Sequence, residues 1–391
     1  MAVIKEPLAK VRKSFRVDWY RSPIAPQTLR NLMQRSNLQG LAQALGNLIL
    51  FAATTVLTFY FYNQALWLAF VLCLFFHCTC ASFMSAACHE LDHGTVFKTK
   101  FLNRAFLIIY SLFAWFNPYD YALSHTYHHR YTLHPKGDRE VVLPDRPTLH
   151  WFYLIQLLTI NITGGPMCRG IVPILRNTIS AALGKPLLED ESGTETHSDQ
   201  YKEWVTALYA AHPKEQYKSV LWARLLILFH ISVVATGIIS GIWLLPVLIT
   251  TPVVVANWWR YLIFMPMHCG LQDNVPDFRK CVRTIIIDPF SSFLYWRMNR
   301  HLEHHMYAGV PCYNLKKLGA VIQNDLPKPR SLISAWKEMR YAWKRQQNEP
   351  EFQFDTPVPE NNLTKNPSTE TGLNDSIGEL EPQSITKSLS Y

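Results

Sequence analysis

The stretch ALWLAFVLCLFFHCTCASFMSAACHELDHG, residues 65 to 94, decides the fold. From Ala65 to Cys88 it holds no Lys, Arg, Asp or Glu, and a helix crossing a hydrocarbon core needs about 20 such residues. The run then passes directly into His89 and His93. At spacing i, i+4 a continuing helix turns both imidazoles to the same side.

Outward from this stretch, residues 41 to 62 form a second uncharged apolar run, and two further spans fit at 225 to 241 and 245 to 264. We therefore expect an all-α, polytopic membrane protein with four transmembrane helices in two hairpins and a His-rich, di-metal cap on the cytoplasmic side. Residues 103 to 117 are too short an apolar run to span and are expected to lie in the interface, as are residues 149 to 162. The expected divisions are a basic arm at 1 to 39, a membrane domain at 40 to 325, an amphipathic basic segment at 326 to 347 and a disordered tail at 348 to 391. Residues 185 to 218 are a polar insertion between the hairpins.

The formal charge of +9 would suggest an anionic partner in a soluble protein, but the bases flank the apolar runs, which argues for topology and against nucleic acid. Lys5, Lys10, Arg12, Lys13, Arg16, Arg21, Arg30 and Arg35 precede the first span, whereas the turn at Tyr62, Asn63 and Gln64 is uncharged. By the positive-inside rule both termini and all the His clusters then face the cytoplasm. The N-terminus shows no signal-peptide pattern. The eight Cys show no CxxC pairing and read as small buried residues.

His125, His128 and His129 repeat the convergent spacing as HxxHH, and His301, His304 and His305 repeat it again. With 15 His in 391 residues, one such box arises by accident roughly 0.02 times per chain, so two demand a cause. Eight imidazoles packed together are costly if dry and repel one another if charged, and shared metal ions satisfy them most simply. They are too many for one ion, which points to a dinuclear centre of iron, zinc, copper or nickel. Asp92, Asp138, Glu90 and Glu303 are candidates to accept the outward N–H groups, Asp138 above all. His134 suits a similar donor role or a plain loop position. His77, His150, His197, His212 and His230 are expected to be structural.

The order HxxxH, HxxHH, HxxHH, with apolar hairpins before and between, resembles the membrane fatty acid desaturase superfamily, and "HLEHHMYAGVPCYNL" is similar to its third box and the segment that follows. The resemblance implies two iron ions held by His89, His93, His125, His128, His129, His301, His304 and His305, with His268 of "FMPMHCGL" as a further ligand. It also implies O2 as co-substrate, a lipid or acyl substrate, and an external ferredoxin or cytochrome b5-type electron donor, since the chain has neither an HPGG haem motif nor a nucleotide fingerprint. Introduction of a double bond into an alkyl chain is the expected reaction; hydroxylation or ketolation of an alkyl or isoprenoid substrate is the alternative. A remoter alternative is a membrane zinc protease, because "HELDH" also satisfies HExxH with Glu90 as general base. It would leave most of the other histidines without a task.

The topology is testable: reporter fusions after Tyr62 and after Arg345 should report opposite sides of the membrane, and the same side from both would overturn the four-crossing scheme.

Overall fold

The structure, a computed structural model, describes residues 8–138, 140–141, 149–165, 170–185 and 198–359. Cys168, His197 and the tail from residue 360 therefore lie outside the described residues. Among the described residues the protein is mainly helical. Strand structure is limited to a parallel pairing of Ile285–Ile286 with Arg330–Ser331 and three isolated bridges.

Among the described residues, three helices are long and apolar enough to cross a membrane: Asn37–Asn63, Trp67–Asp92 and Pro213–Ile239. The first is capped by Ser36, whose hydroxyl accepts from the Gln39 amide at 3.3 Å. The second bends at Ser82 and Phe83, between Trp67–Ala81 and Met84–Asp92. Several polar groups within these helices find partners inside the protein, as lipid requires. Thr58 donates to the Thr54 carbonyl at 2.7 Å, and His77 joins Thr54 Oγ1 (2.7 Å) to the Leu248 carbonyl (3.0 Å). The third helix starts at Pro213, inside the segment expected to be a polar insertion.

The expected fourth helical span, 245 to 264, is not a long helix. It is broken into Leu244–Ile249, a 3-10 turn at Pro252–Val254, and Trp258–Phe264. Pro246 and Pro252 each lack an amide donor, and Ala256 sits at φ +49°, so the ladder cannot run through. The freed backbone groups find partners on the chain at 159 to 161: the Asn161 amide donates to Val254 O at 2.8 Å and the Ala256 amide to Thr159 O at 2.9 Å. Non-helical backbone within an apolar body is tolerated where protein buries it, and Asn161 is 0% exposed. The broken segment still passes antiparallel along the bundle. It leaves the turn where Trp243 Nε1 donates to Tyr62 Oη at 3.1 Å, and Gly237 admits Pro246 so closely that a Cβ there would meet its Cδ at 2.7 Å. It then passes His230, whose ring joins Thr250 Oγ1 (3.2 Å) to the Leu112 carbonyl (3.1 Å), and Phe264 ends against Phe83.

Shorter helices close the end opposite Tyr62. Lys100–Phe113 buries Phe106, Leu107 and Tyr110 while leaving Phe101 exposed; its 14 residues reach about 21 Å, short of a span. Trp151–Leu158 is also short and exposes Trp151, Phe152 and Ile155, and Ile171–Ala182, not anticipated from the sequence, exposes Val172 and Leu175. The basic N-terminal arm is docked here: Trp19 stacks on Phe278 at 4.0 Å and Tyr307 Oη donates to Ser22 O at 2.6 Å. Past the Leu332–Gln346 helix, the segment expected to begin a disordered tail is anchored, with Phe354 N donating to Gly270 O at 2.9 Å and Lys280 paired to Asp355 at 2.7 Å.

His230→Ala removes both partners of that bridge together with its stack on Trp115. A loss of about 1–3 kcal/mol is expected from the groups left unpaired, seen as a lowered Tm in detergent; an unchanged Tm would show that His230 does not hold the broken segment.

Candidate metal centre

Each His box is a short helical piece with a defined end. His89 lies on Met84–Asp92 and His93 is that helix's C-cap, followed by Gly94 at φ +64°, a conformation that suits glycine. Box two rides on Pro118–Tyr131, which starts with proline at its first position and an Asn117 side chain that accepts from the Tyr119 amide at 3.2 Å. Box three opens His301–Met306. His268 follows a 3-10 turn at Met265–Met267, with Nδ1 held 3.0 Å from the Cys281 carbonyl.

The nine histidines gather into two groups: His89, His93, His125, His129 and His304 in one, and His128, His268, His301 and His305 in the other. Within each group the possible ligand atoms all lie within 4.8 Å of one another. The HxxHH spacing acquires a meaning from this division. In each box the i, i+4 pair joins one group and the i+3 histidine crosses to the other, so His125 and His129 face group one while His128 faces group two, and His301 and His305 face group two while His304 faces group one. Boxes two and three thus each tie the two groups together, while box one serves the first group alone.

The chemistry of this donor set fits metal. Nε2 atoms face each other at 3.2 Å (His93 and His125), 2.9 Å (His125 and His129), 3.2 Å (His129 and His304), and 3.0 Å (His301 with both His268 and His305). Such a chain of acceptor-bearing nitrogens cannot all be satisfied by one another's hydrogens. His89 has no hydrogen-bond partner at either ring nitrogen. Two cations, one per group, would take up these lone pairs.

Outward nitrogens are gripped by polar groups. His128 Nδ1 lies 2.8 Å from Asp138 Oδ2, itself fixed by the Leu133 amide at 2.9 Å, so the acceptor favoured from sequence is in place. His125 Nδ1 is 3.0 Å from both Glu140 Oε1 and Tyr121 Oη, and His305 Nδ1 is 3.1 Å from Thr132 Oγ1. Glu140, Tyr121 and Thr132 were not foreseen, although Tyr121 stands i−4 from His125 and Glu140 two residues beyond Asp138. Glu90 Oε1 lies 3.3 Å from His89 Nδ1 and 3.4 Å from His304 Nδ1. Glu303 turns away, to Arg300 at 2.9 Å and to Thr284, and His134 bonds the Thr132 carbonyl at 3.0 Å.

Burial favours the neutral, metal-binding form of most of these imidazoles. It pushes His93 down to about 4 and His268 down to about 3, the latter helped by the neighbouring His128. His125, His129, His301, His304 and His305 are pushed well below the usual range by burial first and by each other second. A cavity of about 50 Å³ touches both groups, through His89 and His125 on one side and His128, His268 and His301 on the other. Phe116, Phe264, Met267 and Met298 supply an apolar wall, and Ser85 and Arg260 a polar patch.

The family model for fatty acid desaturases matches residues 65–336, more than half of the chain. The chain belongs to the fatty acid desaturase family. A search of curated proteins finds no match. Membership makes this desaturase-family protein an oxidoreductase associated with the membrane and with a lipid substrate, and two metal-competent His groups are what such a protein requires.

The depressed His values set a pH dependence for the metal-free protein. The unfolded chain binds protons at about 6.5 and the folded one only near 4 or below at His93 and His268, so this contribution to stability is complete above pH 6.5 and is lost as pH falls towards 4. Chelated protein should show a Tm that drops across this window; a flat profile would mean that the imidazoles are hydrated.

Proposed function

We propose that this protein is a di-iron, O2-dependent desaturase of an alkyl chain, with His89, His93, His125, His129 and His304 holding one ion and His128, His268, His301 and His305 the other. The single observation that carries this reading is the cavity shared by both groups, because a substrate carbon placed there touches the two sites at once. Bound iron would supply the oxidising power, drawn from O2 and external electrons, that an unactivated C–H bond demands. The residues of the chain do the rest: Phe116, Phe264, Met267 and Met298 hold an alkyl chain by shape and exclude water, while Asp138, Glu140 and Thr132 fix the imidazoles that face them.

A zinc protease is disfavoured, since Glu90 faces the outer Nδ1 atoms of His89 and His304, where it cannot activate a water at the inner nitrogens. Electrons come from a ferredoxin or b5-type carrier. The orientation inferred from charge is part of the same proposal, with the basic arm and the metals on the cytoplasmic side and Tyr62 opposite; the Asn37–Thr99 hydrogen bond (2.8 Å), which ties the start of the first long helix to the chain just after box one, supports their lying on one side.

Purified protein should carry two irons. His128→Ala and His304→Ala, one from each group, should each lower both iron content and O2 uptake with a reduced carrier. Lipid extracts of expressing cells should gain a double bond; a new hydroxyl or keto group instead would make the protein a hydroxylase or ketolase. One iron in the wild type, fully kept by His304→Ala, would contradict the dinuclear assignment.

A further inference from the structure

Glu90 differs from the other carboxylates around the centre. Asp138 meets His128 and Glu140 meets His125, each within box two. Glu90 Oε1 alone, among the described ion pairs, lies between histidines of two boxes: 3.3 Å from His89 Nδ1 and 3.4 Å from His304 Nδ1. Both histidines belong to the five-membered group. The side chain is 1% exposed, and neither oxygen has an aligned hydrogen-bond partner, nor has His304 Nδ1. The Cys312 thiol interacts with the Glu90 side chain. Ionising a carboxyl group this deeply buried is costly unless donors face it, so its placement between two imidazole nitrogens calls for a compensating task.

We propose that Glu90 is a positioning residue that clasps box one to box three: its carboxylate takes the outward N–H of His89 and of His304, fixing both rings with Nε2 inward and so selectively securing the metal of the five-histidine group. The inference rests on the di-iron reading and adds to it a division of labour. Asp138 serves the four-histidine group through His128, and Glu90 serves the other by joining two chain segments far apart in sequence. The grip also sets tautomers, because an Nδ1 that donates to Glu90 leaves Nε2 with its lone pair free for metal.

Metal retention tests this without recourse to turnover. Iron-loaded protein, kept anaerobic and challenged with a chelator, is counted for bound ions by native mass spectrometry. Glu90→Leu comes close in volume and removes both oxygens; it should release one ion about 10–100-fold more readily and keep the second at the wild-type rate. Glu90→Gln restores an accepting oxygen without the charge and should fall between the two. Asp138→Asn should also weaken one ion, and the double variant both.

Glu90→Leu holding both ions as firmly as the wild type, or losing both together, would overturn the clasp, as would Glu90→Gln no better than Glu90→Leu. Should Glu90→Leu fail to fold, wild-type retention by Glu90→Gln would overturn it as well. A wild type that binds fewer than two ions would instead defeat the di-iron reading itself.

Discussion

Nine imidazoles in two groups, each within 4.8 Å, form the constraint on which the rest of the structure depends. Left dry and unpaired they are costly, and protonated they repel. They come from four separated places in the chain, so the helices that bring them must end, turn and rotate in register. Gly94, the proline start of the box-two helix, and the Cys281 carbonyl behind His268 each serve that registration. The bundle of long helices provides the fixed frame, and the docked N-terminal arm and the anchored residues after Gln346 press on the same end of it.

Much of this was legible in the sequence because it rests on local periodicity. Uncharged runs marked the first two long helices, and i, i+4 or i, i+3, i+4 spacing marked every box. His268 was found only by resemblance, since a single histidine after an apolar run has no periodic partner. The partition of boxes two and three between the two groups was not legible: spacing shows that side chains share a face, while their division depends on where neighbouring helices stand. The fourth span misled for a related reason. Hydropathy measures transfer to an apolar phase, and the stretch around Pro246 and Pro252 is apolar throughout, yet its backbone is helical only in pieces because residues 159 to 161 satisfy the remainder.

That broken segment bears on function. It carries Arg260 and Phe264 to the cavity, and the 3-10 turn that follows delivers Met267 and then His268. A straight helix would run on with the same 3.6-residue repeat and could not turn His268 back upon His301 at 3.0 Å. The irregular backbone is thus what allows one apolar segment to supply both a wall of the cavity and a histidine of the four-membered group. Outer contacts then differ between the groups: Glu90 and Glu140 lie around the five-histidine group and Asp138 behind the four-histidine group.

The most direct test of the proposed centre is crystallographic: anomalous diffraction from iron-loaded protein, recorded on both sides of the iron edge. Two anomalous peaks are predicted, one among His89, His93, His125, His129 and His304 and one among His128, His268, His301 and His305, with Glu90 and Asp138 outside bonding distance of either ion. A single peak, or an ion bound directly by one of those carboxylates, would contradict the account.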